Sequence, residues 1–272
     1  MNNNFFENYS NSYKLFEPHV AHNFIGYDSE SLYKYNLKNN YSLLEKNNWI
    51  GKEVKYWYNN YGFRTYDDFN TENYGDVNMF FGCSLTDGVG LNIEDIWAYK
   101  INQKLGGSFY NFGQSGSGIE VTYRLLKSWT SKIVPKNIFI LIYSLHKGRR
   151  EFLHSENYND NGFSPHNVDC NILSILVKEF KNDMLLQKQK SKFYFDFLAS
   201  KKEIEVSYER TWDAILYNVS KLNCNVYVPK QYKILKAVTI CRKNNFYARD
   251  CSHVGTQFHD IISDFDCWEK IN

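Results

Sequence analysis

Val77-Asn78-Met79-Phe80-Phe81-Gly82-Cys83-Ser84-Leu85-Thr86-Asp87-Gly88 is the stretch on which the reading of this chain turns. Residues 1–75 before it are polar, rich in Asn and Tyr, and weakly periodic. Here the texture changes to a short apolar run stopped by a glycine, the pattern of a buried strand. Downstream, Ile93, Ile96, Trp97, Ile101 and Leu105 recur at helical spacing, and Gly106-Gly107 closes that helix. Phe109-Tyr110-Asn111-Phe112 reads as a second strand, 113–118 as a glycine-rich turn, and the next segment as a helix with Ile119, Tyr123, Leu126 and Thr130 on one face. Ile138-Phe139-Ile140-Leu141-Ile142-Tyr143 is a third strand, apolar throughout as a parallel strand covered on both sides must be. This β-α-β-α-β order with short connections predicts an α/β fold, a three-layer α/β/α sandwich on a mostly parallel sheet. Residues 76–272 form that domain, and residues 1–75 an N-terminal extension packing on it.

Working further outward, residues 147–170 are polar and turn-rich and predict a long loop. Two helical patterns follow, Ile172, Leu176, Phe180, Met184 and then Tyr208, Trp212, Ile215, Val219, Leu222. Val226-Tyr227-Val228 reads as a short strand, and a helix of about a dozen residues is expected after Gly255. Within the extension, Val54-Lys55-Tyr56-Trp57-Tyr58 is the most strand-like piece, before the turn-like Asn59-Asn60-Tyr61-Gly62.

Composition narrows the function classes. With 43% hydrophobic and 23% charged residues in 272, the chain is too apolar for disorder and long enough for a core that needs no staple. Thirty-two basic against 30 acidic residues leave a net charge of +2, so there is no broad field for nucleic acid or an anionic membrane. The start, Met1-Asn2-Asn3-Asn4-Phe5-Phe6-Glu7, has no signal-peptide pattern, and no stretch approaches the roughly 20 apolar residues of a membrane span, which predicts a cytoplasmic protein. Six scattered cysteines without a C-x-x-C pair predict free thiols. His19 and His22 have ligand spacing but no Cys or acidic cluster beside them, and 113–118 lacks the Lys-Ser/Thr of a phosphate loop. No metal and no organic cofactor is expected.

In an open α/β sheet, ligands bind at the carboxyl ends of the strands, and the chemistry-bearing residues cluster there. Ser84 follows a strand and a glycine, on a tight turn that exposes its hydroxyl and frees its backbone N–H. Asn111-Phe112-Gly113-Gln114-Ser115-Gly116-Ser117-Gly118 ends the second strand with glycines that let a backbone N–H approach a bound oxygen. Near the C-terminus, Arg249-Asp250-Cys251-Ser252-His253-Val254-Gly255 spaces a carboxylate three positions before an imidazole, so that Asp250 reaches His253 and fixes its tautomer. Arg149 and Arg150 stand where a strand-end loop reaches a substrate carboxylate or phosphate.

These residues resemble the SGNH (GDSL-type) hydrolase family. Gly82-Cys83-Ser84-Leu85-Thr86 is similar to its first block, Asn111 to Gly116 to its second, and Asp250-Cys251-Ser252-His253 with Gly255 to its last, in the family's order across residues 77–268. Asn60-Tyr61-Gly62-Phe63-Arg64 loosely resembles segments that precede the core in some members. The resemblance implies an SGNH/flavodoxin-like sandwich and a serine esterase for small acyl esters, with O-acetyl groups on a carbohydrate as the substrate class. It implies Ser84 as nucleophile, His253 as base, Asp250 as its orienting carboxylate, and an oxyanion hole from the N–H groups of Ser84 and Gly116. Two positions depart from the pattern. Cys83 replaces the usual Asp, as in some members. The third block, Gly-x-Asn-Asp, is replaced by Tyr143-Ser144-Leu145-His146-Lys147-Gly148, without the Asn that donates to the oxyanion. Loss of one such donor costs about 100- to 1,000-fold in turnover, and His146 is the expected substitute, with Ser144 the other neutral candidate. The same residues would serve an O-acyltransferase in which a sugar hydroxyl replaces water. A catalytically silent SGNH-fold protein holding a glycan or a partner is the rival from another class.

Overall fold

The computed structural model describes residues 16–72, 76–142, 149–159, 162–169 and 201–272. Its strands in chain order are β1 (Val77–Gly82), β2 (Ser108–Gly113), β3 (Asn137–Leu141), β4 (Arg149–Asn159), β5 (Gly162–Asp169), β6 (Asn225–Pro229) and β7 (Trp268–Lys270). Its helices are α1 (Glu30–Asn39), α2 (Tyr41–Lys46), α3 (Ser84–Asp87), α4 (Trp97–Leu105), α5 (Ile119–Thr130), α6 (Lys201–Val219), α7 (Gln231–Lys243) and α8 (Thr256–Ile262). The central sheet runs β2-β1-β3-β6-β7, with the first four strands parallel and β7 antiparallel to β6. This is the expected three-layer α/β/α sandwich, in a flavodoxin-like order.

The alternation of side chains along each strand builds the two outer layers. Phe80 and Phe139 point to one face, where they meet Trp97 and Ile101 of α4, Ile234 and Cys241 of α7, and Phe258 and Ile262 of α8. Met79, Phe81, Ile138 and Ile140 point to the other, onto Leu125 and Trp129 of α5 and Ile215 and Val219 of α6. Helix α5 is buried more widely than a single stripe. Ile119 and Leu126 are in the core as expected, while Val121, Leu125 and Trp129 join them and Tyr123 and Thr130 are only half-buried. The extra burial comes from the N-terminal segment, whose Tyr61, Phe63 and Phe69 stack edge-on against Trp129.

Register is held by an amide ladder. Asn78, Asn137 and Asn225 are aligned across β1, β3 and β6. Asn225 donates to Asn137 at 2.9 Å, Asn137 to Asn78 at 2.7 Å, and Asn78 to the Asn102 side chain of α4 at 2.8 Å and to Gly106 O at 2.7 Å. A one-residue slip would strand these largely buried amides without partners, which makes the ladder a register lock as well as a source of stability.

Several sequence expectations need correction. Most of 147–170 is an antiparallel hairpin, β4 with β5, rather than a loop. Its strands are polar and lack alternation, so backbone pairing and the docking of Glu151 on Arg124 (2.9 and 3.1 Å) define it rather than an apolar face. The helix after Gly255 ends at Ile262. Asp264 then caps a 3₁₀ turn, and the Trp268 indole donates to Ile262 O at 2.8 Å as β7 begins, because Trp268 packs on Trp97 and Phe139. Val54 to Tyr58 makes only isolated bridges, His22 with Tyr56 and Tyr58 with Arg64. The pattern Ile172 to Met184 lies outside the described residues. Among the described residues, no helix is long and apolar enough to cross a membrane, and Cys83, Cys224, Cys241, Cys251 and Cys267 are free thiols.

Residues 16–72 contribute directly to the core. Leu44, Trp49, Val54, Tyr56 and Tyr58 are buried on the first face, and Phe63 and Phe69 on the second. The strongest polar tie is an ion pair inside the protein. Arg249 Nε donates to Asp28 at 3.0 and 3.2 Å and its Nη2 at 2.7 Å, with both side chains at most 2% exposed. The Tyr56 hydroxyl donates to Asp28 at 2.6 Å and accepts the Gly90 N–H at 2.8 Å, while the guanidinium lies 4.5 Å from the Phe24 ring centre. Breaking one half of such a buried pair costs about 3–5 kcal/mol, because the other charge is left uncompensated. Asp28→Asn should therefore lower the urea midpoint of unfolding by that equivalent.

A second buried group couples the fold to pH. His259 Nδ1 accepts the backbone N–H of Trp97 at 3.0 Å, satisfying a donor in the first turn of α4. Burial, reinforced by Lys100, His253 and Arg64, pushes its imidazole from 6.5 down to about 3. The unfolded chain takes up this proton near pH 6.5 and the folded chain does not, so stability is complete above that pH. Between the two values it falls as the pH falls, by about 1.4 kcal/mol per pH unit for the one proton. His259→Gln, which keeps an acceptor and cannot titrate, should flatten the acid limb of stability against pH by that slope in urea titrations.

Candidate active site

The sheet order places a crevice at the carboxyl ends of β1 and β3, since the chain leaves β1 toward β2 and leaves β3 toward β6. Ser84 is the first residue of α3, directly after β1, and is 6% exposed. The helix is a single turn closed by Gly88 in the left-handed conformation, so it offers free amides at its start and little macrodipole. Arg64 holds that turn from outside. Fully buried, it donates to the carbonyls of Asp87 (2.8 Å), Gly88 (2.5 Å) and Leu91 (2.5 Å) and to Lys55 O (3.1 Å). It lies in the extension, just after the Tyr61-Gly62 pair.

The loop after β2 is fastened to the same turn. Ser115 donates to the Asp87 carboxylate, Gln114 N–H to Gly82 O at 3.0 Å, and the Ser117 hydroxyl to Gly82 O at 3.3 Å. Asn111 donates to Thr86 O at 3.2 Å and accepts the Gly113 N–H at 2.9 Å. Gly116 has φ +84°, a conformation open to glycine and strained for other residues. It is half-buried in this loop and is not one of the residues that line the cleft described below.

Asp250 and His253 form a compact unit. Asp250 is 3% exposed and takes the backbone N–H groups of Ser252 and His253 at 3.1 and 3.0 Å on one carboxylate oxygen. The other oxygen meets His253 Nδ1 at 2.5 Å. An ionised carboxylate only accepts, so the pair keeps the proton on Nδ1 and leaves Nε2 with its lone pair. The loop is anchored at its back. Asn36 of α1 donates to Asp250 O at 3.0 Å, Arg249 N–H to Gly90 O at 3.1 Å, and the Arg249 side chain is fixed on Asp28. Gly90 permits this approach: with φ +76°, a Cβ there would stand 2.8 Å from Ala248 Cβ and 3.0 Å from Arg249 N.

A cleft of about 190 Å³ is lined by Ser84 and His253, together with Ser252, apolar Leu85, Val238 and Val254, and the two arginines Arg149 and Arg242. A second cavity, beside Cys83 and Ser117, is about 10 Å³ and has room for one water. Of the residues singled out in the sequence, Ser84, His253 and Arg149 line this cleft, and Asp250 is hydrogen-bonded to His253. His146, Ser144 and Lys147 lie outside the described residues, as does the side chain of Arg150. Sequence reading missed Arg242, Asp28, Asn36 and the anchoring role of Arg64. Only Arg64 carried a signal, its place after the Tyr61-Gly62 turn. Among the described residues no group of three or more His, Cys, Asp or Glu is placed to hold a metal ion.

No family model matches the chain, and no curated protein matches it. Among solved structures, it is similar to a protein assigned to the lipolytic G-D-S-L family from Desulfitobacterium hafniense DCB-2, at 10% identity and a TM-score of 0.33 over 71% of this chain and 98% of that one. It is similar to a member of the same family from Veillonella parvula DSM 2008, at 12% identity and a TM-score of 0.32 over 69% and 93% of the two chains. A gut microbial diltiazem-metabolizing enzyme matches at 14% identity and a TM-score of 0.31, over 70% of this chain and 45% of that one. The functional reading of the site rests on its own residues.

Proposed function

We propose that the protein is a serine ester hydrolase of the SGNH type, acting on small acyl esters. The observation that carries this reading is the Asp250–His253 pair at 2.5 Å, whose His253 lines the same cleft as Ser84. Ser84 Oγ attacks the acyl carbonyl as His253 Nε2 takes its proton. The tetrahedral oxyanion is met by the N–H of Ser84; Gly116, the second donor that the family resemblance implies, stands in the neighbouring loop and outside the lining of the cleft. Collapse expels the alcohol, which recovers the proton from His253 and leaves an acyl-serine. Water, deprotonated by the same imidazole, then releases the acid. Asp250 stays ionised throughout and steadies the imidazolium. The volume of about 190 Å³ and the lining of Leu85, Val238 and Val254 suit an acetyl-sized group rather than a long chain. The family resemblance adds a carbohydrate as the alcohol.

A fluorophosphonate probe should label Ser84, and labelling should disappear in Ser84→Ala and slow sharply in His253→Ala. Turnover of p-nitrophenyl acetate should fall at least about a thousandfold in either variant. Labelling of another serine with Ser84 untouched would overturn the assignment. For the oxyanion, His146 supplies the side-chain donor that the absent third-block Asn would have given. His146→Ala should lower turnover by roughly ten- to a thousandfold with little change in KM, the mark of an interaction made in the transition state. Turnover within about twofold of wild type would remove His146 from the hole.

A further inference from the structure

The three apolar residues that line the cleft with Ser84 and His253 reach it by different routes. Leu85 follows Ser84 in the single turn of α3, and Val254 follows His253, where it bridges to Tyr247. Each of these two is placed by the same backbone that places a reacting side chain. Val238 comes instead from α7, an element that carries neither reacting residue. The helix is held at its back, with Ile234, Ala237 and Cys241 fully buried in the same core as Phe80 and Phe139. Val238 is 6% exposed, at the margin of that buried face, and lines the cleft. Its branch at Cβ makes it stiff. Room opened or closed at this position is therefore not made good by a shift of the helix, since a packed core relaxes only in part.

One turn further along α7, Arg242 is exposed and lines the same cleft. The surface that α7 gives to the cleft thus passes from an aliphatic side chain to a hydrated cation within a turn. In an acyl-serine, the acyl group is bonded to Ser84 Oγ and is all of the substrate that stays in the cleft. Apolar surface beside Ser84 therefore has the acyl chain as its occupant. A short chain is accommodated against Val238. A longer one must displace that side chain or run on toward the guanidinium, where methylene groups strip water from a charge.

Resting on the esterase reading above, we propose that Val238 sets the length of the acyl chain, so that acetyl esters are preferred over butyryl and longer ones. p-Nitrophenyl acetate, butyrate and hexanoate hold the alcohol fixed and vary the acyl chain, while methyl and butyl acetate do the reverse. The wild type should take the acetate over the butyrate by about tenfold or more in kcat/KM. The ratio of the two belongs to the folded molecules alone, so a variant that folds in lower yield still reports it. Val238→Ala removes two carbons and should raise the butyrate-to-acetate ratio by about tenfold or more. Val238→Ile adds one carbon on the same stiff branch and should lower it by about threefold or more. The ratio of butyl to methyl acetate should stay within about twofold in both variants. A wild type that prefers butyrate or hexanoate would overturn the proposal. So would a butyrate-to-acetate ratio that stays within about twofold in both variants or moves the same way in both. A shift in the alcohol series instead would place Val238 against the leaving group and overturn it as well. If the wild type hydrolyses none of these esters, the esterase reading fails and the proposal with it, a result distinct from hydrolysis with an unmoved ratio.

Discussion

Asp28 and Arg249 are 221 residues apart in sequence and meet as a buried ion pair, and the geometry of the candidate site depends on that meeting. Arg249 immediately precedes Asp250. A guanidinium with so little exposure has no solvent to fall back on, so it takes its place where Asp28, the Asn23 carbonyl and the Phe24 ring are. Fixing Arg249 fixes the start of the loop that ends at His253. Tyr56 extends the same network from Asp28 to the Gly90 N–H, two residues after the turn that carries Ser84. The loop with the imidazole and the turn with the serine are thereby referred to one buried point.

Arg64 does the corresponding work for the serine turn. A four-residue helix has too few internal bonds to hold its own shape, and one side chain gathers the carbonyls of its last residue Asp87, of its cap Gly88 and of Leu91 just beyond. Both arginines are neutralised or hydrogen-bonded within the protein and are structural. Arg242, by contrast, lines the cleft and has no ion-pair partner among the described residues.

The core of the fold was legible along the chain wherever burial imposed a period. β1, the helix after it, β2 and β3 follow from apolar runs and glycine stops, because a strand covered on both faces leaves no room for polar residues except where they pair, as in the asparagine ladder. The readings failed where burial was partial or non-local. The β4–β5 hairpin is polar and held by its backbone ladder. α7 went unread although Ile234, Ala237, Val238 and Cys241 are buried, since its exposed face mixes lysines with apolar residues. The end of α8 is set by Trp268 finding Trp97 and Phe139, a choice made by the core and not by the local sequence.

For the site, the sequence by itself determined the local units: a serine on a tight turn after a strand, glycines at the end of the next strand, and a carboxylate three positions before a histidine. Each is legible because its geometry is closed within a few residues, as the Asx-type turn of Asp250 onto Ser252 and His253 is. Only the tertiary structure decided that Ser84 and His253 share a cleft, that Arg242 joins them, and that a polar N-terminal segment supplies Asp28, Asn36, Tyr56 and Arg64 as their support. Those relations depend on buried charges and amides finding partners far away in sequence. No local spacing records such a pairing, because its driving force, the cost of leaving a buried polar group unpaired, exists only once the chain has folded.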